Sequence, residues 1–280
     1  MNSRTAWSSC SKLGRERPSV ARLEPSTITC RLDMSPKSQA ARGHQVGDYR
    51  GVWGSRTHLG KRKDLRNDPA RYAGRGDDVK AVLWDFGGVI TTSPFDAFAE
   101  YERRSGLEPG FIRALNATNP DSNAWALLER GEITLDEFAP LFEAEAARAG
   151  GTLSAPEVLS ALDGEIRPEM VEALRRCHER LRTGLLTNNF ASMEATSKDS
   201  VAEHFDVVIE SSKVGLRKPE AAFYQLACDR LGVSPCEAVF LDDLGINLKP
   251  ARAMGMATIK VSDPATAIAE LEALVGFELR

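Results

Sequence analysis

The rhythm of apolar and polar positions changes repeatedly along the 280 residues. Residues 1–76 show no hydrophobic periodicity: Trp, Leu and Val are sparse among Arg, Ser and Gly, and no amphipathic face can be drawn. At Val79 the texture alters. VKAVLWDFGGVI is a short apolar run ending in an acidic residue and a glycine pair, the pattern of a buried strand emptying into a loop. From Pro94 to about Gly164, apolar residues recur every three and four positions in PFDAFAEYERR, PGFIRALNAT, NAWALLERGEI and LDEFAPLFEAEAARAG, which predicts helices.

Beyond that block the two rhythms alternate. PEMVEALRRCHERL reads as a helix and TGLLTNN as a strand; FDVVIES is a strand and PEAAFYQLACDRLG a helix; EAVFLDD is a strand, NLKPARAMG a helix and ATIKV a strand. Strands alternating with helices of about 10 to 15 residues imply a parallel sheet covered on both faces. The predicted fold is α/β: a doubly wound parallel sheet over residues 78–280, with a helical cap, about 94–165, inserted after the first strand. Such a cap would lie over the carboxyl ends of the strands, where an open α/β sheet keeps its ligand.

Charge divides the chain at the same boundary. Residues 1–76 hold 16 Lys/Arg against 6 Asp/Glu, whereas residues 77–280 hold 20 against 34. The acidic body works against nucleic acid as a partner, because it repels phosphates where binding would have to release their counterions. A phosphate would have to be met locally, by a metal and a few cations. The basic stretch 1–77 has three readings: a disordered tail, a translation start placed too far upstream, or an organelle transit peptide suggested by its Arg- and Ser-rich, acid-poor opening. No chemistry is assigned to it. No run approaches the roughly 18 to 20 apolar residues of a membrane span, so a membrane is not an expected partner. Cys10, Cys30, Cys177, Cys228 and Cys236 form no CxxC pair and have no His at metal spacing. Reduced thiols in the cytoplasm are expected, with organelle targeting by the opening stretch as the alternative.

The chemistry gathers at the predicted strand ends. Asp85 follows AVLW, Thr187 and Asn188 follow GLL, Asp242 and Asp243 follow AVFL, and Lys218 sits in GLRKPE ahead of a helix. In a parallel sheet these ends share one edge, so the groups should converge although they lie far apart in the chain. Three neighbouring carboxylates push one another's pKa up unless a cation intervenes, and a hard divalent ion, Mg²⁺ above all, suits oxygen ligands. Taken singly, each residue has a bland explanation. An Asp after a strand is often the N-cap of the next helix, a Lys before Pro is usually solvated, and TNN is ordinary turn chemistry. Matching residues at successive strand ends, in order, favour a site.

In that order WDFGGV, LLTNN, GLRKPE and FLDDLGIN resemble the four motifs of the haloacid dehalogenase-like hydrolases, over about residues 79–280. Within that superfamily the chain is similar to the phosphatase domain of soluble epoxide hydrolases and to the related domain of acyl-CoA dehydrogenase fusion proteins. The stretch LDDLGINLKPARAMGMATIKVSDPATAIAELEALVGFELR carries that closer likeness. Further domains follow in those relatives, and a module standing alone is expected here. The resemblance implies a Rossmann-like core and an Mg²⁺-dependent phosphatase acting on a small phosphorylated organic substrate, with phosphorylated lipids suggested by analogy. Oligomeric state is left open.

Carried over by position, Asp85 would be the nucleophile that forms an aspartyl-phosphate. Thr187 and Asn188 would contact the phosphoryl oxygens, and Lys218 would neutralise the nucleophile and the transferring group. Mg²⁺ would be held by Asp85, the Gly87 carbonyl and the Asp242–Asp243 pair, Asp243 the more direct ligand of the two. Asn247 would orient the acidic loop, while Gly87 and Gly88 would let the backbone turn tightly beside the ligand. One position departs from the pattern. Most phosphatases of the superfamily carry a second Asp two residues after the nucleophile, as general acid, and this sequence has Gly87 there. General acid catalysis is typically worth about 10² to 10⁴ in rate, so good leaving groups should be favoured over alkyl monoesters. Two other activities stay open: a catalytically silent binding module, which Gly87 supports, and a dehalogenase, which the retained Asp242–Asp243 pair argues against. For substrate choice, Trp125, Glu129, Arg130 and Glu132 could face the pocket. Equally, Trp125 and Leu128 could be cap core and the charges a solvated face.

Overall fold

A computed structural model of the chain describes residues 78–162, 164–190 and 200–280. The basic stretch 1–77, with its three readings, lies outside the described residues. The core is a five-stranded sheet in the order β3-β2-β1-β4-β5. Its strands are β1 (Ala81–Trp84), β2 (Arg182–Thr187), β3 (Val207–Glu210), β4 (Ala238–Asp242) and β5 (Ala257–Lys260). Every neighbouring pair is parallel, as the alternation of strand and helix requires.

Burial on both faces explains the near-continuous apolar runs of these strands. From β1, Val82 and Trp84 point into one cluster, with Met170 and Leu174 of helix α6 (Pro168–His178) and Ile268 and Leu271 of helix α10 (Pro264–Val275). Ala81 and Leu83 point into the other, with Phe223 and Tyr224 of α8 (Ala221–Leu231) and Leu248 and Ala251 of α9 (Gly245–Ala253). Helices therefore cover the sheet on two sides, which is the doubly wound arrangement. Helix α10 lies beyond the last expected strand, ATIKV, and its buried Ala267, Ile268, Leu271, Leu274 and Val275 recur at helical spacing.

Between Thr91 and α6 lie five α-helices among the described residues: α1 (Pro94–Ser105), α2 (Phe111–Ala117), α3 (Ala124–Glu129), α4 (Leu135–Arg148) and α5 (Ala155–Ser160). Their limits follow local chemistry. Ser93 caps α1 ahead of Pro94, Asn123 accepts the Ala126 amide of α3 at 2.8 Å, and Thr134 and Glu137 form a reciprocal capping box on α4. The block has its own core of Phe98, Tyr101, Ile112, Leu128, Phe138 and Phe142. The chain enters and leaves it side by side. Thr91 bridges Ile166 antiparallel, the Thr92 amide donates to the Glu165 carbonyl at 2.8 Å, and Arg167 N donates to the Ile90 carbonyl at 2.9 Å.

Candidate active site

The parallel register brings the polar ends of β1, β2 and β4 to one edge, because Trp84 is level with both Leu185 and Leu241. Asp85 follows directly, its amide donating to the Leu241 carbonyl at 3.0 Å. The Phe86 amide donates to Asp85 Oδ1 at 2.7 Å, and Lys218 Nζ lies 2.6 Å from the same oxygen. Oδ2 of Asp85 is thus the oxygen without a donor among the described residues. Lys218 stands in the loop between α7 (Ser211–Val214) and α8, is 2% exposed, and also donates to Asp242 Oδ2 at 2.9 Å.

The neighbouring aspartates differ sharply. Asp242 is fully buried and its acceptors are taken. The Leu244 amide reaches Oδ1 at 2.8 Å, Asn247 Nδ2 reaches both oxygens at 3.1 Å, and Lys218 holds Oδ2. Tyr224 in turn donates its hydroxyl to the Asn247 carbonyl at 2.8 Å. Asp243 accepts a long hydrogen bond, 3.5 Å, from Ser93 Oγ and another from its own backbone amide, and it lines the cavity. Asp85, Asp242 and Asp243 each present an oxygen within 4.8 Å of the others.

Their electrostatics follow from burial. Removal from water drives the Asp85 carboxyl well above the usual carboxylate range, against the pull of Lys218 and with a further push from Asp242 and Asp243. Asp243 is pushed up to about 6, chiefly by burial and then by Asp242. Burial alone would depress the Lys218 ammonium, but Asp242 and Asp85 outweigh it and hold its pKa above the ordinary value. One lysine faces three acids, and the crowding of the carboxylates adds to burial in raising the pKa values of Asp85 and Asp243.

Adjacent glycines meet different constraints. Gly88 has φ +77°, and a Cβ there would sit 2.4 Å from Asp243 Oδ2, so only glycine lets the acidic loop approach. Arg167 Nη1 donates to the Gly88 carbonyl at 2.7 Å and steadies that turn. Gly87 has an ordinary φ of −66° and ψ of 130°. A Cβ there would meet only the Pro94 ring, at 3.6 and 3.8 Å. The backbone would accept a side chain at the position where the general-acid Asp is expected.

Thr187 ends β2, is buried, and lines the same cavity. Asn188 does too, but its side chain is committed elsewhere: Oδ1 accepts from the Lys218 amide at 2.9 Å, and Nδ2 donates to the Lys218 carbonyl at 3.0 Å and to Glu129 Oε2 at 3.1 Å. That side chain ties two loops together. Of the four residues considered for substrate choice, Trp125 and Glu129 line the cavity. Trp125 also packs edge-on against Phe98 and Phe138, at ring separations of 5.9 and 5.7 Å, so it is both wall and core. Arg130 and Glu132 do not line the cavity; they pair with each other at 2.5 Å just beyond the end of α3. Arg217, beside Lys218 in GLRKPE, has no role that the sequence motifs assign. It ion-pairs with Glu129 at 2.6 Å and donates Nη1 to the Pro120 carbonyl at 2.8 Å. The one signal for it in the sequence is a cation directly before the site lysine.

The cavity occupies about 660 Å³ between the sheet edge and the helical block. Its floor is acidic and its far wall is formed by Phe95, Phe98, Trp125 and Phe190. Residues 79–255 match the family described as haloacid dehalogenase-like hydrolase. The chain belongs to that family. Among its curated relatives, acyl-CoA dehydrogenase family member 10 of Mus musculus is 37% identical over 211 residues, covering 73% of this chain and 20% of that protein. Bifunctional epoxide hydrolase 2 of Sus scrofa is 32% identical over 220 residues, covering 72% of this chain and 40% of that protein. The chain therefore spans only a fifth to two fifths of the length of these two relatives. Phosphatase MT3486 of Mycobacterium tuberculosis is 37% identical over 192 residues, covering 64% of this chain and 85% of that protein. The parallel sheet and the hydrolase family expected from the motifs are both present. Among the described residues, no helix is long and apolar enough to cross a membrane.

Proposed function

We propose that this haloacid dehalogenase-like hydrolase is an Mg²⁺-dependent phosphatase, working through an aspartyl-phosphate at Asp85 on a small organic phosphate with an apolar body. The observation that carries the reading is the cluster of Asp85, Asp242 and Asp243 around the buried Lys218. With all three carboxylates ionised, one lysine would leave two charges uncompensated, and the ligand atoms are all hard oxygens, which fits a divalent cation such as Mg²⁺. Asp85, Asp243 and the Gly87 carbonyl would hold it, with Asp242 already engaged by Lys218 and Asn247. When bound, the ion would shield the carboxylates and stabilise charge on the transferring phosphoryl group.

The chain's own residues then have distinct tasks. Asp85 Oδ2 attacks phosphorus, the bond from phosphorus to the leaving oxygen breaks, and that oxygen departs with its electron pair. Lys218 offsets charge on Asp85 and on the phosphoryl oxygens, and Thr187 stands by as a hydroxyl donor. Water hydrolyses the acyl phosphate and restores the carboxylate. Without a carboxylic acid at Gly87, departure depends on the leaving group's own stability, which favours acyl and aryl phosphates. The apolar wall and the relative named a phosphatase support an organic phosphate as substrate.

Phosphate release from acetyl phosphate and aryl phosphates tests the reading, with and without Mg²⁺, in wild type and Asp85→Asn. Mg²⁺-dependent release lost in the variant is expected. Binding of phosphate compounds with no turnover would identify a silent module, and metal-independent halide release from haloacids would identify a dehalogenase.

A further inference from the structure

Glu129 is a carboxylate 9% exposed, at the end of α3 in the helical cap, and it accepts from three donors on different elements. Trp125 Nε1, on the cavity wall, reaches Oε1 at 3.0 Å. Arg217 Nε reaches Oε2 at 2.6 Å, and Asn188 Nδ2 reaches the same oxygen at 3.1 Å. Both latter groups lead straight to the site. Arg217 precedes Lys218 in the chain, and Asn188 bonds the Lys218 backbone on both its amide and its carbonyl. Arg217 also clasps the cap at the Pro120 carbonyl. Five hydrogen bonds or ion-pair contacts, all through buried or half-buried groups, thus connect the aromatic wall to the loop that carries the lysine facing Asp85.

We propose that Glu129 is a positioning residue: a latch that holds the cap closed and, through Arg217 and Asn188, sets Lys218 opposite Asp85. The proposal deepens the phosphatase reading and rests on it for its kinetic test. Every partner of Glu129 is a donor. A glutamine there keeps the volume but turns an NH₂ toward a donor whichever way it rotates, and it leaves Arg217 without its counter-charge. Simple packing would tolerate that exchange. A latch would not.

The experiment uses the full chain and compares E129Q, R217A and the double variant on acetyl phosphate, which has no body to touch Trp125. Lys218 displaced by a fraction of an ångström to about 1 Å should lower kcat roughly 10- to 100-fold, with KM changed less than about threefold. The double variant should be no slower than the slower single variant, because one device has been broken twice. Wild-type kcat in E129Q, or losses that multiply in the double variant, would overturn the proposal. Amide hydrogen exchange on the same proteins reads the latch without turnover. Faster exchange, about tenfold, is expected in α3 and around Arg217 and Lys218 in E129Q, and unchanged exchange there would overturn the latch. If wild type releases no phosphate, the phosphatase reading fails by itself and exchange still decides the latch.

Discussion

Along the sheet edge, Asp242 takes donors from a backbone amide, an asparagine and a lysine, and Gly88 clears a space for Asp243 that a single methyl would fill. Across the cavity, Phe98, Trp125 and Phe142 meet through ring contacts of 5.5 to 5.9 Å with few polar obligations. The first surface is specified atom by atom. The second is specified by volume and shape, which aromatic and aliphatic residues can supply in many combinations. Chemistry is therefore written into positions that admit one residue, and recognition into positions that admit several. Glu129 stands on the second surface but obeys the rules of the first.

Substitutions can break that contrast. Asp85→Asn keeps the shape of the edge and removes its nucleophile, and phosphate release should fall on the order of 10⁴-fold or more. A modest loss would mean the edge is no more privileged than the wall. Gly88→Ala should cost about 1–3 kcal/mol in denaturant unfolding from the left-handed backbone and the crowding of Asp243, and should nearly silence turnover. Gly87→Asp is the opposite experiment, since the backbone accepts it: hydrolysis of alkyl phosphates should rise by about 10² or more while acyl phosphates change little. A wild-type rate that does not vary with leaving-group pKa would sink the leaving-group argument. Trp125→Ala should raise KM about tenfold for aryl phosphates, more than for acetyl phosphate, through lost apolar contact. The smallest effect concerns the two sheet faces. Burial pushes the Cys177 and Cys228 thiols up to about 12, so at pH 8 only about 10⁻⁴ of each is thiolate and alkylation should be slow until unfolding. Prompt labelling in any of these variants would show that the core had loosened.

The strands were legible because each apolar run stops at a polar residue, and a parallel sheet collects such stops on one side. That logic found Asp85, Thr187, Asp242, Asp243 and Lys218 together. Strand ends alone do not separate Asp242, saturated by Lys218 and Asn247, from Asp243, which lines the cavity, because the two are adjacent and identical in type; only the family resemblance points to Asp243 as the more direct metal ligand. Nor do strand ends distinguish Gly87 from Gly88, whose difference lies in φ and in a neighbour far along the chain. The phosphoryl contact expected of Asn188 comes from the resemblance alone, and turn-like TNN carries no sign of its partners in other loops. Arg217 and Glu129 were the hardest, since each resembles a solvated charge until the fold buries them against each other. Helix α10 is legible in its spacing, with apolar residues recurring at helical intervals.

The antiparallel bridge between Thr91 and Ile166 gives the helical block a single doorway. Everything between those residues can be lengthened, shortened or exchanged for another cassette without altering the register of any strand, provided the replacement begins and ends at the same doorway and brings its own partner for Arg217. Diversification of such a scaffold needs only two splice points, one on each side of a two-residue handshake.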